Sequence, residues 1–326
     1  MSPTTANPCP PPSNLCLAVV TLRGSTSYVI RDLTDITHPK TVSSFDTVVP
    51  QFISANDVSY VSANSVIRRD WRGSAATTIV SSSQGIRAYA WSPDGNSLVY
   101  VTEGNPASVH LLSARVDKVI GSIPAGGVGG CEVIASCAIP NWLDSQLFFT
   151  ATGMNIVLEV NSFSGSVFRI WSSDGIGSEN FDGQGFTMAT WSGGSPYFRD
   201  GTGVDSWAGP IGRFIPGVLW IKPKGSPAGG QIVFTARDSK GWGRVFVVDT
   251  STRKVRQLKT ARTDAVFLTS RYIWYRGERA CVAADRCGPN PPFHPLSGKT
   301  YIYDLQDGTE TESIITNVLD IWPHAA

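Results

Sequence analysis

Pairs of short apolar runs recur along the whole chain, the two members of each pair separated by a few turn-forming residues. CLAVV (16–20) precedes SYVIRDL (27–33), VSYVS (58–62) precedes SVIRRDW (65–71), and LVYVT (98–102) precedes SVHLL (108–112). The series continues with LFFTA (147–151) and NIVLEV (155–160), IVFTA (232–236) and RVFVVDT (244–250), and YIWYRG (272–277) and TYIYDL (300–305). A more polar segment follows several pairs: KVIGSI, SVFRIW and KVRQL. Others are preceded by a strand ending in an aromatic, YAWSPDG before LVYVT and VLWIKPKG before IVFTA. Runs this short, rich in β-branched and aromatic residues and broken by 32 Gly and 21 Pro, are strands and not helices. Four strands per repeat of about 40 residues is the signature of propeller blades.

The expected fold is therefore all-β, a single propeller of four-stranded antiparallel blades over 15–326 behind a Pro-rich tail or linker at 1–14. VLDIWP (318–323) has the character of a first strand and CLAVV that of a second, so the two chain ends are expected to share one blade and close the ring, removing exposed sheet edges. Blade number is open between six, which is favoured, and seven. The stretch 172–216 contains a strand-like FTMATW (186–191) but then a Gly-rich run, and is expected as a long insertion.

WSPDGNSLVYVTEG (91–104) and WIKPKGSPAGGQIVFTARDSKGWGRVFVVDT (220–250) resemble blades of the TolB-like β-propellers. The resemblance covers most of the chain as a repeat pattern and implies that tight turns join first and second strands. It implies a range of roles: protein-binding scaffold, sensor domain, polysaccharide lyase, or gating domain of a peptidase. No hydrolase domain follows the propeller repeats in this sequence, so a peptidase is not expected from it.

Lys and Arg number 27 against 26 Asp and Glu, a formal charge of +1, which gives no field attracting nucleic acid or anionic lipid. There is no apolar run of about 18 residues, so no membrane span is expected, and the start MSPTTANPCPPPSNLC lacks the apolar core of an export signal. The six cysteines fall into three close couples, Cys9 with Cys16, Cys131 with Cys137, and Cys281 with Cys287. The spacing favours local disulfides, each contributing about 2–3 kcal/mol, over reduced thiols or a zinc site, which needs tighter couples and histidine ligands. Disulfides place the protein outside the cytoplasm, secreted, periplasmic or at the cell surface.

Three long segments, 126–138, 172–216 and 277–299, map to the same propeller face, whereas turns such as SPDG (92–95) on the other are minimal. The binding site is expected on the decorated face. There, Asp285, Arg286 and His294 occupy a Pro-rich loop clamped by Cys281 and Cys287; His294 is either an acid, base or ligand or a plain surface histidine. Asp200, with Arg199 and Asp205, could form an acid–base pair or hold sugar hydroxyls, or be solvated. Asp174, Glu179 and Asp182 could offer oxygen ligands to calcium, although their spacing matches no defined calcium loop, and no other cofactor is implied. Trp207 and Trp242 could stack on a sugar or anchor a partner, or simply pack. AGGVGGC (125–131) has the glycines of a phosphate loop without a following helix, and neither G-x-S-x-G nor H-E-x-x-H occurs. The expected function is non-catalytic binding of a protein or glycan by a monomer. The alternative is a carbohydrate-active enzyme, a polysaccharide lyase or glycosidase-like protein, working at the same face. A third reading is a sensory or assembly domain of a larger chain.

Overall fold

A computed structural model describes residues 9, 15–21, 26–104, 106–123, 146–149, 155–162, 165–176, 179–183, 187–192, 195–200, 203–206, 221–285 and 294–324. Among these residues all regular structure is β, and every strand pairing is antiparallel. The chain begins with β1 (Leu17–Thr21), β2 (Ser27–Asp32), β3 (Lys40–Asp46), β4 (Gln51–Phe52), β5 (Asp57–Ser62), β6 (Ser65–Asp70) and β7 (Ala76–Ser81). It continues with β8 (Ile86–Trp91), β9 (Ser97–Thr102), β10 (Ala107–Ser113), β11 (Val116–Ile123), β12 (Gln146–Phe149), β13 (Asn155–Ser162), β14 (Gly165–Ser172) and β15 (Glu179–Gly183). Next come β16 (Thr187–Ser192), β17 (Ser195–Asp200), β18 (Gly203–Ser206), β19 (Ile221–Gly225), β20 (Gln231–Arg237), β21 (Gly243–Asp249) and β22 (Val255–Thr260). The last are β23 (Arg262–Phe267), β24 (Tyr272–Glu278), β25 (Leu296–Asp304), β26 (Glu310–Ser313) and β27 (Val318–Trp322).

These strands build seven sheets among the described residues, and the chain divides into two units, Met1–Ala55 with Ala189–Ala326, and Asn56–Met188. In the first unit lie sheets ordered β27-β1-β2-β3, β19-β20-β21-β22 and β23-β24-β25-β26. β27 pairs with β1, Leu17 opposite Trp322 and Ala18 opposite Ile321, so the C-terminal strand completes the sheet begun at the N-terminus. Cys9 and Cys16 form a disulfide, and both are buried in a core with Ala18, Val20, Leu268, Trp274, Ile302 and Ile315. Cys9 thereby fixes one point of the Pro-rich 1–14 segment against the sheet. The second unit contains β8–β11 and β12–β15, with a core of Val99, Val101, Val109, Leu111, Ile156, Leu158 and Trp171.

Burial explains the sequence pattern. Inner strands such as β9 (SLVYVT) and β20 (QIVFTAR) are covered on both faces and are mostly apolar, whereas β10 and β21 alternate and the outer β7 and β22 are largely exposed. The WSPDG turn closes β8 onto β9: Gly95, at φ 68°, donates to the Ser92 carbonyl at 2.8 Å, and the Asp94 carboxylate accepts from Ser92 Oγ and from the Asn96 amide at 3.1 Å.

Two expectations are corrected here. The stretch 172–216 is not a bare insertion: β15 pairs with β14, and β16–β18 form a three-stranded sheet of their own. The strand-like FTMATW is β16, whereas β15, β17 and β18 are short with Gly-rich joints, so no apolar run announces them. The Leu147–Phe149 run, expected as a second strand, opens the described part of its sheet, whose fourth member is β15. The 126–138 segment, with Cys131 and Cys137, lies outside the described residues, as do 207–220.

Candidate functional site

The ends of β20 and β24 each carry charged residues into the fold, and these fasten two loops together. Glu278, at the end of β24, has a side chain with no exposed surface and accepts from Arg237 of β20 at 2.6 Å. Its other oxygen accepts the Gly243 amide at 2.7 Å. A buried carboxylate is tolerated only when paired and hydrogen-bonded, and Glu278 is both. Arg237 also donates to the Gly241 carbonyl at 2.8 Å, so one ion pair spans the β20–β21 turn and the start of the β24–β25 loop.

Asp238 shapes that turn. Its carboxylate accepts the amides of Lys240 and Trp242, both at 2.9 Å, and the Arg244 guanidinium at 3.0 Å. Burial, which would raise its pKa, is outweighed by the Trp242 amide and Arg244, and the net direction is down. Gly241, at φ 83°, supplies the left-handed corner.

The turn presents Trp242 to His294, whose rings stack with centroids 3.5 Å apart and planes 8° from parallel. His294 Nε2 is 3.1 Å from the Lys240 carbonyl oxygen, which can only accept, so Nε2 carries the hydrogen. Nδ1 faces the Cys281 sulfur at 3.8 Å, and Cys281 is disulfide-bonded. Asp285 is held by Arg279 in a two-pronged pair, at 2.6 and 2.8 Å, and also accepts the Val282 amide at 2.8 Å. The Arg279 guanidinium brings the Asp285 carboxyl down to about 2. The Arg279 amide donates to the Pro295 carbonyl at 2.9 Å, which draws the two ends of the loop together.

A pH dependence follows. The folded-state value of Asp285 lies below the unfolded one, so its contribution is complete above the ordinary carboxylate range and is lost as pH falls toward 2. Wild type is expected to be more stable than Asp285→Asn at pH 7, with the difference shrinking between about pH 4 and pH 2; denaturation midpoints across that range check it, and a constant difference would contradict it.

The structure thus brings together Trp242, His294 and Cys281, and sets Asp285 against Arg279. Arg286, Cys287 and Trp207 lie outside the described residues. Arg199 and Asp200 occupy β17, opposite Val204 and Gly203, and Asp205 occupies β18 opposite Phe198. Asp174 sits in the turn after β14, its carboxylate accepting from Ser172 Oγ and the Ile176 amide; these bonds, Ser172 first, lower its pKa. Glu179 and Asp182 are not in that loop but on β15, paired with Ile170 and Val167. Among the described residues no group of three or more His, Cys, Asp or Glu could hold a metal ion. Sequence reasoning missed Glu278, Arg237 and Asp238; their one signal is a charge ending an apolar inner strand, in FTARD and YRGE.

No protein-family model matches the chain, and no curated protein matches it. Solved structures do. A prolyl endopeptidase is similar with TM-score 0.62 and 11% identity, over 91% of this chain and 47% of that one. The β-propeller domain of the trilobed protease from Pyrococcus furiosus has TM-score 0.52 and 13% identity, over 93% of this chain and 94% of that one. An oligogalacturonate lyase in complex with manganese has TM-score 0.54 and 12% identity, over 91% and 83%. TolB from Acinetobacter baumannii is also similar, at TM-score 0.49 and 15% identity over 94% of this chain and 65% of its own. The chain spans about half the length of the endopeptidase and about two thirds that of TolB. The fold is a β-propeller.

Proposed function

We propose that this chain is a non-catalytic, extracytoplasmic β-propeller that binds a partner protein on the surface made by the β20–β21 turn and the β24–β25 loop. The seven sheets would be its blades, and the pairing of β27 with β1 would supply the closing blade. The observation that carries the reading is the Trp242–His294 stack. His294 donates from Nε2 to a backbone carbonyl and directs Nδ1 at a disulfide-bonded sulfur, so its bonds among the described residues support a structural role and not that of a base. The stack covers one indole face, which favours a protein partner over a sugar that would need it open.

The sheet of β23 to β26 also carries exposed aliphatic side chains. Val282 (58% exposed), Leu296 (43%) and Ile314 (67%) lie at the end of the sheet where β24 finishes and β25 begins. Rigid aliphatic surface rimmed by ion pairs is what a protein interface uses. The disulfides at Cys9–Cys16 and at Cys281 support a compartment outside the cytoplasm.

The test is site-specific photocrosslinking in the native host, with the reactive residue at 282, 296 or 314 and a control at Ser251, at the opposite end of the neighbouring sheet. The reading expects one discrete protein adduct from the three positions and none from Ser251. No adduct, or equal labelling at Ser251, would sink it.

A further inference from the structure

β7 stands apart among the outer strands. Among the described residues it ends its sheet, pairing with β6 on one side only. No charged residue and no proline occurs between Arg72 and Arg87. Each other described outer strand carries charge: Lys40 and Asp46 on β3, Asp117 and Lys118 on β11, Glu179 and Asp182 on β15, Asp205 on β18, Arg256 and Lys259 on β22, Glu310 and Glu312 on β26. Charges on an edge strand prevent edge-to-edge pairing, so β7 alone lacks that protection. Its composition, ATTIVS, is also that of a good strand former. Thr77 and Thr78 are exposed, while Ile79 and Val80 pack against a buried cluster of Val66, Ile86, Leu98 and Tyr100, which holds the strand in place with its outer edge unpaired among the described residues.

We propose that β7 is a homodimerisation edge, pairing antiparallel with β7 of a second copy about a local two-fold axis. A second copy is the occupant that the charges favour. Antiparallel self-pairing of β22 would bring Arg256 and Lys259 of both copies together, whereas β7 meets its own image with no repulsion and with Thr, Ile and Val across the seam. The chain's formal charge of +1 adds almost no repulsion between copies.

Sedimentation velocity on the full chain over a concentration series tests it. Wild type is expected to show a reversible dimer whose affinity changes little between low and high salt, because no charge crosses the seam. Thr77→Lys with Thr78→Lys, at two exposed positions, is expected to weaken the dimer by at least about tenfold with unchanged circular dichroism. Should that variant misfold, hydrogen exchange on wild type decides: the β7 amides are expected to gain protection as concentration rises. A wild type that stays monomeric throughout, a double-lysine variant that folds and dimerises equally well, or a monomer whose β7 instead pairs with a segment of another protein would overturn the proposal.

Discussion

Glu278→Ala is expected to lower the unfolding free energy by about 3–5 kcal/mol, the range for removing one partner of a buried ion pair and leaving the other uncompensated. Two groups lose their acceptor at once. Arg237 keeps a charge in a site where its side chain is 19% exposed, and the Gly243 amide loses its bond to Oε2. A buried donor left without a partner adds its own desolvation cost. The effect should also be directional. Because Glu278 ties the β20–β21 turn to β24, its loss is expected to free Trp242 from His294, raising the solvent accessibility of that indole to a fluorescence quencher under conditions where the rest of the chain is still folded. Urea denaturation and quenching measure the two effects. A loss below about 1 kcal/mol would place Glu278 among ordinary surface charges and contradict the buried-pair account.

The second large effect is expected at Gly243. A Cβ built there would lie 2.3 Å from the Arg262 carbonyl oxygen and 3.1 Å from Glu278 Oε2. The first of these is backbone at the start of β23, which cannot turn aside as a side chain can. Gly243→Ala is therefore expected to cost about 3 kcal/mol, at the upper end for forcing extra volume into a packed site. Gly230→Ala is the matched comparison. Gly230 has φ 70° with open space around it, so its substitution carries only the left-handed penalty of about 1 kcal/mol. Equal losses in the two variants would show that close approach at Gly243 is not what demands glycine there.

The strands most legible in the sequence are those buried on both faces. LVYVT, IVFTA and YIWYRG are predominantly apolar because a strand packed on both faces tolerates few polar groups, and they lie within β9, β20 and β24 respectively. The strand character of VLDIWP, and its partnership with CLAVV, were likewise legible from the order of strand types. FTMATW also marked β16, but β15, β17 and β18 were not legible, since short strands joined by glycines look like loop until tertiary pairing orders them. At the site, residue types were visible but their partners were not. Trp242 and His294 invited attention separately, as an indole in a Gly-rich turn and a histidine near a cysteine couple. Only the fold stacks Trp242 on His294, and it spends both imidazole nitrogens on structure. Glu278 was invisible for a related reason: a glutamate ending a strand suggests solvent until the Arg237 guanidinium, 41 positions away, is seen to bury it.

On the function proposed above, residues 238–243 and 277–285 form one rigid, preorganised surface organised by Glu278. Hydrogen exchange read by mass spectrometry on peptides covering 238–243 and 277–285 tests this most directly. The expected result is that both segments exchange far more slowly than the exposed turn at 250–254, and that Glu278→Ala accelerates both together. Wild-type exchange at 238–243 as fast as at 250–254, or acceleration confined to one segment in the variant, would contradict it.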